Sequence, residues 1–68
     1  MIDVFNYDIG QRVILTTTYG KKIIGPVADI TTAIDNDSDY DAISIRTAPR
    51  YLVEIEANEI ESIEVIAD

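Results

Sequence analysis

The sequence contains no cysteine and no histidine. Without cysteine, no disulfide can stabilise the chain and thiolate catalysis is excluded. Without histidine, the commonest zinc ligand and the commonest general base are both missing. No apolar run approaches membrane-spanning length, and the opening segment MIDVFNYDIG lacks the basic start and apolar stretch of a signal peptide. These absences predict a soluble cytoplasmic protein without a bound cofactor.

Basic residues are scarce and unevenly placed. The chain has 5 Lys and Arg against 13 Asp and Glu, which gives a net charge of -8. Residues 12–28 contain three bases and no acid, whereas residues 51–68 contain six acids and no base. Such a surface repels a phosphate backbone over most of its area, so binding to nucleic acid is not expected as the main function.

The length of 68 residues predicts one domain covering residues 1–68. A chain of this size buries only about 60% of its unfolded surface, so its stability is modest unless it oligomerises. The apolar fraction of 47% is nevertheless that of a folded domain rather than a disordered one.

β-Branched residues and closely spaced turn signals predict five short strands. The segment RVILTTTYGKKII reads as two strands joined at Tyr19 and Gly20, where glycine supplies the positive φ of a tight hairpin. The second strand extends from about residue 21 to residue 30. Alternating residues then predict strands at 41–47, 51–57 and 61–66, with a turn at Pro49 and a connector, with room for one 3₁₀ turn, in ANEI (57–60).

The second strand contains a predicted bend. Pro26 cannot donate to a sheet ladder, so it belongs at an edge or a bulge, and the neighbouring Gly25 permits a sharp change of direction. Five short strands with such a bend predict an all-β fold, a strongly bent antiparallel sheet closed into a small barrel. The first ten residues fit either a short strand or a helical turn. The predicted core consists of Val13, Leu15, Ile23, Val27, Ile43, Ile45, Val53, Ile55, Ile60, Ile63 and Val65.

Two segments of the sequence resemble the Sm-like small barrels, which also use five bent strands. The segment IGQRVILTTTYGKKIIGPV is similar to their first motif, which has a glycine, a valine-rich strand, a glycine hairpin and another glycine before a branched residue. IEANEI (55–60) stands where the family has Ile-Arg-Gly-Asn-x-Ile between its last two strands. The resemblance covers roughly residues 9–66 and implies the Sm-like barrel fold.

The departures from the family concern its RNA site. Glu56 occupies the position of the motif's arginine and Ala57 that of its glycine, so only Asn58 matches. The family's Asp-x-x-x-Asn element has no counterpart, because Asp35 and Asn36 are adjacent. An anionic residue at a site built for RNA reverses its electrostatics, and RNA binding is therefore not carried over by the resemblance.

Four aspartates alternate in DNDSDYD, at residues 35, 37, 39 and 41, and they raise the question of a calcium loop. Asp35, Asp37, Asp39 and Asp41 supply oxygen ligands, but an EF-hand starting at Asp35 needs glycine sixth and glutamate twelfth, where Tyr40 and Arg46 stand. The alternative is a polar turn in which Asp and Asn bind their own backbone. We expect the turn, and no metal.

Nothing in the sequence places a nucleophile beside a base, so we expect no enzyme activity. Tyr19, at the hairpin tip, and Tyr40, in the aspartate segment, are predicted to be exposed contact residues. Together with Lys21, Lys22 and Asn58 they form the set of candidate interface or ligand residues.

Three functional hypotheses follow. The first is a non-catalytic interaction or assembly module of Sm-like type that forms a homo-oligomer and binds an unidentified protein partner. The second is an RNA or single-strand DNA binder that uses Arg12, Lys21, Lys22, Arg46 and Arg50. The third is an acidic mimic of nucleic acid that binds a basic protein.

In the Sm-like family, rings form by pairing the fourth strand of one subunit with the fifth of the next, and both strands are acidic here.

Overall fold

Five antiparallel strands form one sheet in the computed structural model, which describes residues 1–66. The strands are β1 (Arg12–Thr17), β2 (Lys22–Thr31), β3 (Ala42–Ala48), β4 (Tyr51–Glu56) and β5 (Ile60–Val65). Two 3₁₀ turns accompany them, the first at Val4–Asn6 and the second, which links β4 to β5, at Ala57–Glu59. The prediction of an all-β chain of five strands is confirmed.

The strand order is β4-β3-β2-β1-β5, so β4 and β5 are the two outer strands. Within the part of the chain that the structure describes, these two strands pair only with β3 and β1 respectively. The sheet therefore has two free edges, and the predicted closure into a barrel is not observed.

The long strand β2 changes partner halfway along its length. Its first half, up to Pro26, pairs with β1, and its second half, from Val27, pairs with β3. Pro26 lies opposite Arg12 and outside the ladder with β3, as expected for a residue without an N–H. A register shift between Val27 and Asp29 adds to the bend.

Tight turn chemistry fixes the hairpin between β1 and β2. Gly20 has a φ of 86°, a conformation that L side chains rarely adopt, and its N–H donates to the Thr17 carbonyl at 3.0 Å. The Thr17 hydroxyl oxygen accepts from the Lys21 N–H at 2.9 Å, which gives this fully buried hydroxyl a partner. The predicted hairpin is confirmed.

The core lies on one face of the bent sheet. The residues predicted for it are buried, with three exceptions: Val53 and Ile63 are half-buried, and Val65 is 45% exposed. The prediction for Val65 is wrong because β5 is an outer strand, so no further strand covers its side chain. Val4, Ala42 and Ala57, which the sequence pattern did not predict, are also buried in the core or beside it.

The N-terminal segment adopts the helical turn rather than the strand. The Asp3 carboxylate accepts from the Phe5 N–H at 3.0 Å and caps the first 3₁₀ turn. This turn places Val4, which is fully buried, in the core, and Ile2 and Tyr7 pack against it. The segment before β1 therefore contributes to the hydrophobic core.

Candidate functional site

The aspartate segment forms a structured turn, which we call the acidic loop (residues 32–41). Its backbone folds on itself, since the Asn36 N–H donates to the Thr32 carbonyl at 3.0 Å and the Ser38 N–H donates to the Ala33 carbonyl at 3.1 Å. The Asp41 carboxylate accepts from the Ala33 N–H at 2.8 Å and so closes the loop across its base. These contacts are those of the expected polar turn.

The four aspartates of the acidic loop are not gathered around a common point. Asp35, Asp37 and Asp39 are exposed, and Asp41 is half-buried and directed at the backbone of the loop. Asp37 has a φ of 52°, a left-handed conformation that Asp tolerates better than most residues. In residues 1–66 no three acidic side chains are arranged to hold a metal ion.

An open cleft of about 740 Å³ separates the acidic loop from the outer face of β4. Carboxylates from both sides enter it, and the loop and the strand are joined here by the Ser38 hydroxyl, which donates to the Glu56 carboxylate. None of the described residues around the cleft is basic. It is lined by Ala33, Ile34, Asn36, Asp37, Ser38, Asp39, Glu54 and Glu56. The cleft is therefore a strongly anionic surface.

The two glutamates of β4 have no cation opposite them in the sheet. Across the ladder with β3, Glu54 lies opposite Ser44 and Glu56 lies opposite Ala42. Arg46 lies opposite Leu52 instead, and its guanidinium donates to the Pro49 carbonyl at 3.1 Å. The other side of β4 is the free edge of the sheet. A strand that paired with this edge would therefore lie beside the negative charges of Glu54 and Glu56.

The opposite edge, β5, is also acidic. Glu64 lies opposite Ile14 of β1, and Glu61 falls at a register shift in the β1–β5 ladder. Both glutamates are exposed, as is Val65, and Ile63 is half-buried. Each outer strand thus combines incompletely covered apolar side chains with carboxylates.

The remaining candidate residues lie on connections, or on a strand residue next to one, at one end of the sheet. Tyr19, Lys21 and Lys22 lie at or beside the β1–β2 turn, and Asn58 lies in the second 3₁₀ turn. The Thr18 N–H donates to the Glu59 carbonyl at 2.9 Å and so joins these two turns. The Ala57 N–H donates to the Asp41 carbonyl at 2.9 Å, which joins that same turn to the end of the acidic loop. Asn58, Lys21 and Lys22 are exposed.

The two tyrosine predictions have different outcomes. Tyr19 is 66% exposed, as predicted for the hairpin tip. Tyr40 is only half-buried rather than exposed, so that prediction is wrong. The acidic loop curls back at this point, and the Tyr40 carbonyl accepts from the Asn36 side-chain amide at 3.3 Å.

Sequence reasoning missed the edge residues. Tyr51 and Leu52, at the start of β4, are 70% and 53% exposed, and the sequence pattern did not single them out as surface residues. A register shift between Arg46 and Ala48 alters the pairing at this end of the β3–β4 hairpin, which strict alternation does not reveal.

Comparison of the chain with family models, with curated proteins and with solved structures found no match. In the part of the chain that is described, no helix is both long enough and apolar enough to cross a membrane.

Proposed function

We propose that this chain is a non-catalytic interaction and assembly module that binds further β-strands, including those of other copies, at its two free sheet edges. The observation that carries the proposal is the strand order, in which β4 and β5 have no outer neighbour among residues 1–66. The outer side of an edge strand presents unpaired N–H and C=O groups, which form hydrogen bonds to any suitable extended chain.

Apolar side chains at both edges support self-association. Val53 on β4 and Ile63 on β5 are only half-buried, and Val65 is exposed. A strand added at either edge removes part of this surface from water, and this burial favours the complex, although only the surplus over the entropic cost of association appears as affinity. A small domain with a limited core gains most from such burial.

The module is proposed to be of the Sm-like type, with a strongly bent sheet that approaches a barrel. Two observations support this proposal. β2 bends and pairs with β1 by one half and with β3 by the other. The segment 55–60, which resembles the family's second motif, connects the two outer strands. Glu56 remains at the arginine position, so the proposal does not extend to the family's RNA site.

Like charges oppose the association of copies. Pairing β4 of one copy with β5 of another brings Glu54 and Glu56 towards Glu61 and Glu64, at a cost of a few tenths to about 1 kcal/mol for each directly opposed pair. Salt screens exposed charges, with a Debye length of about 10 Å at 0.1 M ionic strength. Self-association is therefore expected to strengthen as salt is raised.

The test is the absolute mass by light scattering after size exclusion, at low and at high salt. We expect a mass above that of the monomer that increases with salt. Glu64→Gln should increase association at low salt, because it removes one opposing charge from an edge. Glu59→Gln, an exposed change on the connector, is the matched control and should leave the mass unchanged. A monomer under all conditions would remove self-association from the proposal.

A further inference from the structure

The β4 edge presents an ordered row of side chains as well as free backbone groups. Glu54 and Glu56 project from its outer face, with Ser44 and Ala42 opposite them on β3. Val53 and Ile55 project from its inner face, against the core. Charged side chains on an edge strand also suppress unspecific pairing between edges. The row of side chains on β4 therefore favours some strands over others.

The pleat determines which residues of an added strand meet this row. Successive side chains of a strand point to opposite faces, and directly opposed residues share a face. Every second residue of a strand paired with β4 therefore lies beside Glu54 and Glu56. The residues between them lie beside Val53 and above the edge of the core.

We propose that the β4 edge binds an extended segment of a partner protein in which Lys or Arg alternates with β-branched apolar residues. The basic side chains face Glu54 and Glu56, and the apolar ones cover Val53. The acidic cleft beside the same strand, with Asp37 and Asp39, adds to the attraction for a cationic chain. This inference rests on the proposed function and specifies the kind of partner strand that the β4 edge binds.

A second copy of this chain is a poorer occupant of the β4 edge. Its β5 has the required apolar alternation in Ile63 and Val65, but Ser62 and Glu64 stand where bases are needed. Pairing of β4 with β5 of a second copy would therefore bring Glu64, an acid, beside the glutamates of β4, where a basic side chain is required. A foreign basic strand therefore competes with self-association at this edge.

The test uses three fluorescent peptides of about ten residues, titrated against the intact chain and followed by anisotropy. The first alternates Lys with Val and Ile, the second has Glu in place of Lys, and the third contains the residues of the first with all its Lys in one block. We expect the alternating Lys peptide to bind about tenfold more tightly than either control, since two opposed charge pairs at up to about 1 kcal/mol each contribute a factor of this order.

Two charge-reversed variants locate the binding. Glu54→Lys should weaken binding of the alternating Lys peptide about tenfold, whereas Glu59→Lys, an equal change at an exposed residue of the connector, should leave it nearly unchanged. Circular dichroism of both variants confirms that the sheet is intact. Amide hydrogen exchange with the peptide bound should show more new protection in β4 than in β5.

The outcomes separate this inference from the proposed function, because mass is measured on the same samples. Equal binding of the blocked peptide, or equal loss in both variants, would show unspecific attraction of charge and overturn the inference. An oligomer that binds no peptide overturns the inference and leaves the proposed function standing. A monomer that binds none of the peptides removes both.

Discussion

Gly25 lies directly against the carbonyl of Arg46, so that a Cβ on Gly25 would overlap the carbonyl oxygen. This contact lies where β2 leaves β1 and begins to pair with β3. The missing side chain is therefore what allows the end of β3 to approach the bend. The need for glycine here comes from close approach rather than from a positive φ.

Gly25→Ala should destabilise the fold by about 1–3 kcal/mol, since the overlap is with backbone and cannot be relieved by turning a side chain. The free energy of unfolding in urea measures this loss. Gly20→Asn is the control, because Gly20 has open space around it and Asn tolerates its positive φ. Equal losses in the two variants would contradict the role assigned to the Arg46 contact.

Leu15→Ala should cost about 2–5 kcal/mol, because Leu15 is fully buried and its truncation leaves a cavity. A domain of this size has little more stability than that, so a largely unfolded protein is expected at 37 °C. Thermal unfolding followed by circular dichroism is the measurement. Ile34→Ala, at a side chain that is 91% exposed, should change stability by less than about 0.5 kcal/mol.

Asp41→Ala should loosen the acidic loop, because it removes the acceptor of the Ala33 N–H. A loss of about 1 kcal/mol and faster hydrogen exchange at Ala33 are expected. Asp41→Asn keeps the side-chain oxygen and should restore most of the protection. If Asp39→Ala, which changes an exposed aspartate of the same loop, had the same effect, the loss of charge would explain it better than the hydrogen bond.

Calcium at millimolar concentration should not raise the unfolding temperature above its value in EDTA. Asp35, Asp37 and Asp39 are exposed, and Asp41 is engaged by backbone. A ligand that binds only the folded state stabilises it by RT ln(1 + [L]/Kd), so a calcium site with a Kd at or below the millimolar range would raise the unfolding temperature. Magnesium at the same concentration controls for screening. A rise specific to calcium would make the acidic loop a metal site.

Labelled oligo-U should not bind at low salt, where attraction between charges is greatest. In the segment 55–60, which resembles the second motif of the Sm-like barrels, Glu56 stands at the position of the motif's arginine. Residues 51–66 contain no base. Gel shift at increasing protein concentration is the measurement, and an Sm-like protein with the complete motif is the positive control. A salt-sensitive shift, lost in a Lys21 and Lys22 double alanine variant, would revive the nucleic-acid hypothesis.

The strands could be predicted because their signals are local. Alternation and turn residues placed the second to fifth strands within one residue of their observed ends. The Asp41–Ala33 contact is similarly local and is typical of the turn that was expected. The helical turn at Val4 was only one of two alternatives, since three residues carry too little periodicity to decide between them.

Strand order and closure could not be predicted to the same degree. Whether β5 lies at an edge depends on pairing between residues distant in sequence, and the prediction that Val65 is buried failed for that reason. The acidic cleft combines Asp37 and Asp39 with Glu54 and Glu56, and the sequence gives no sign that these two groups share one surface. Their charges were visible, but their proximity was not.

The two borders of the sheet are encoded by one uninterrupted stretch of chain, residues 51–65, with a 3₁₀ turn between them. The interior strands β1, β2 and β3 all precede it. Under the proposed function, exchanging this single block, with its buried Ile55, Ala57 and Ile60 retained, is expected to change both edges of the sheet at once. A graft of these residues, 51–65, is then expected to change which strands the edges favour while β1, β2 and β3 keep their sequence.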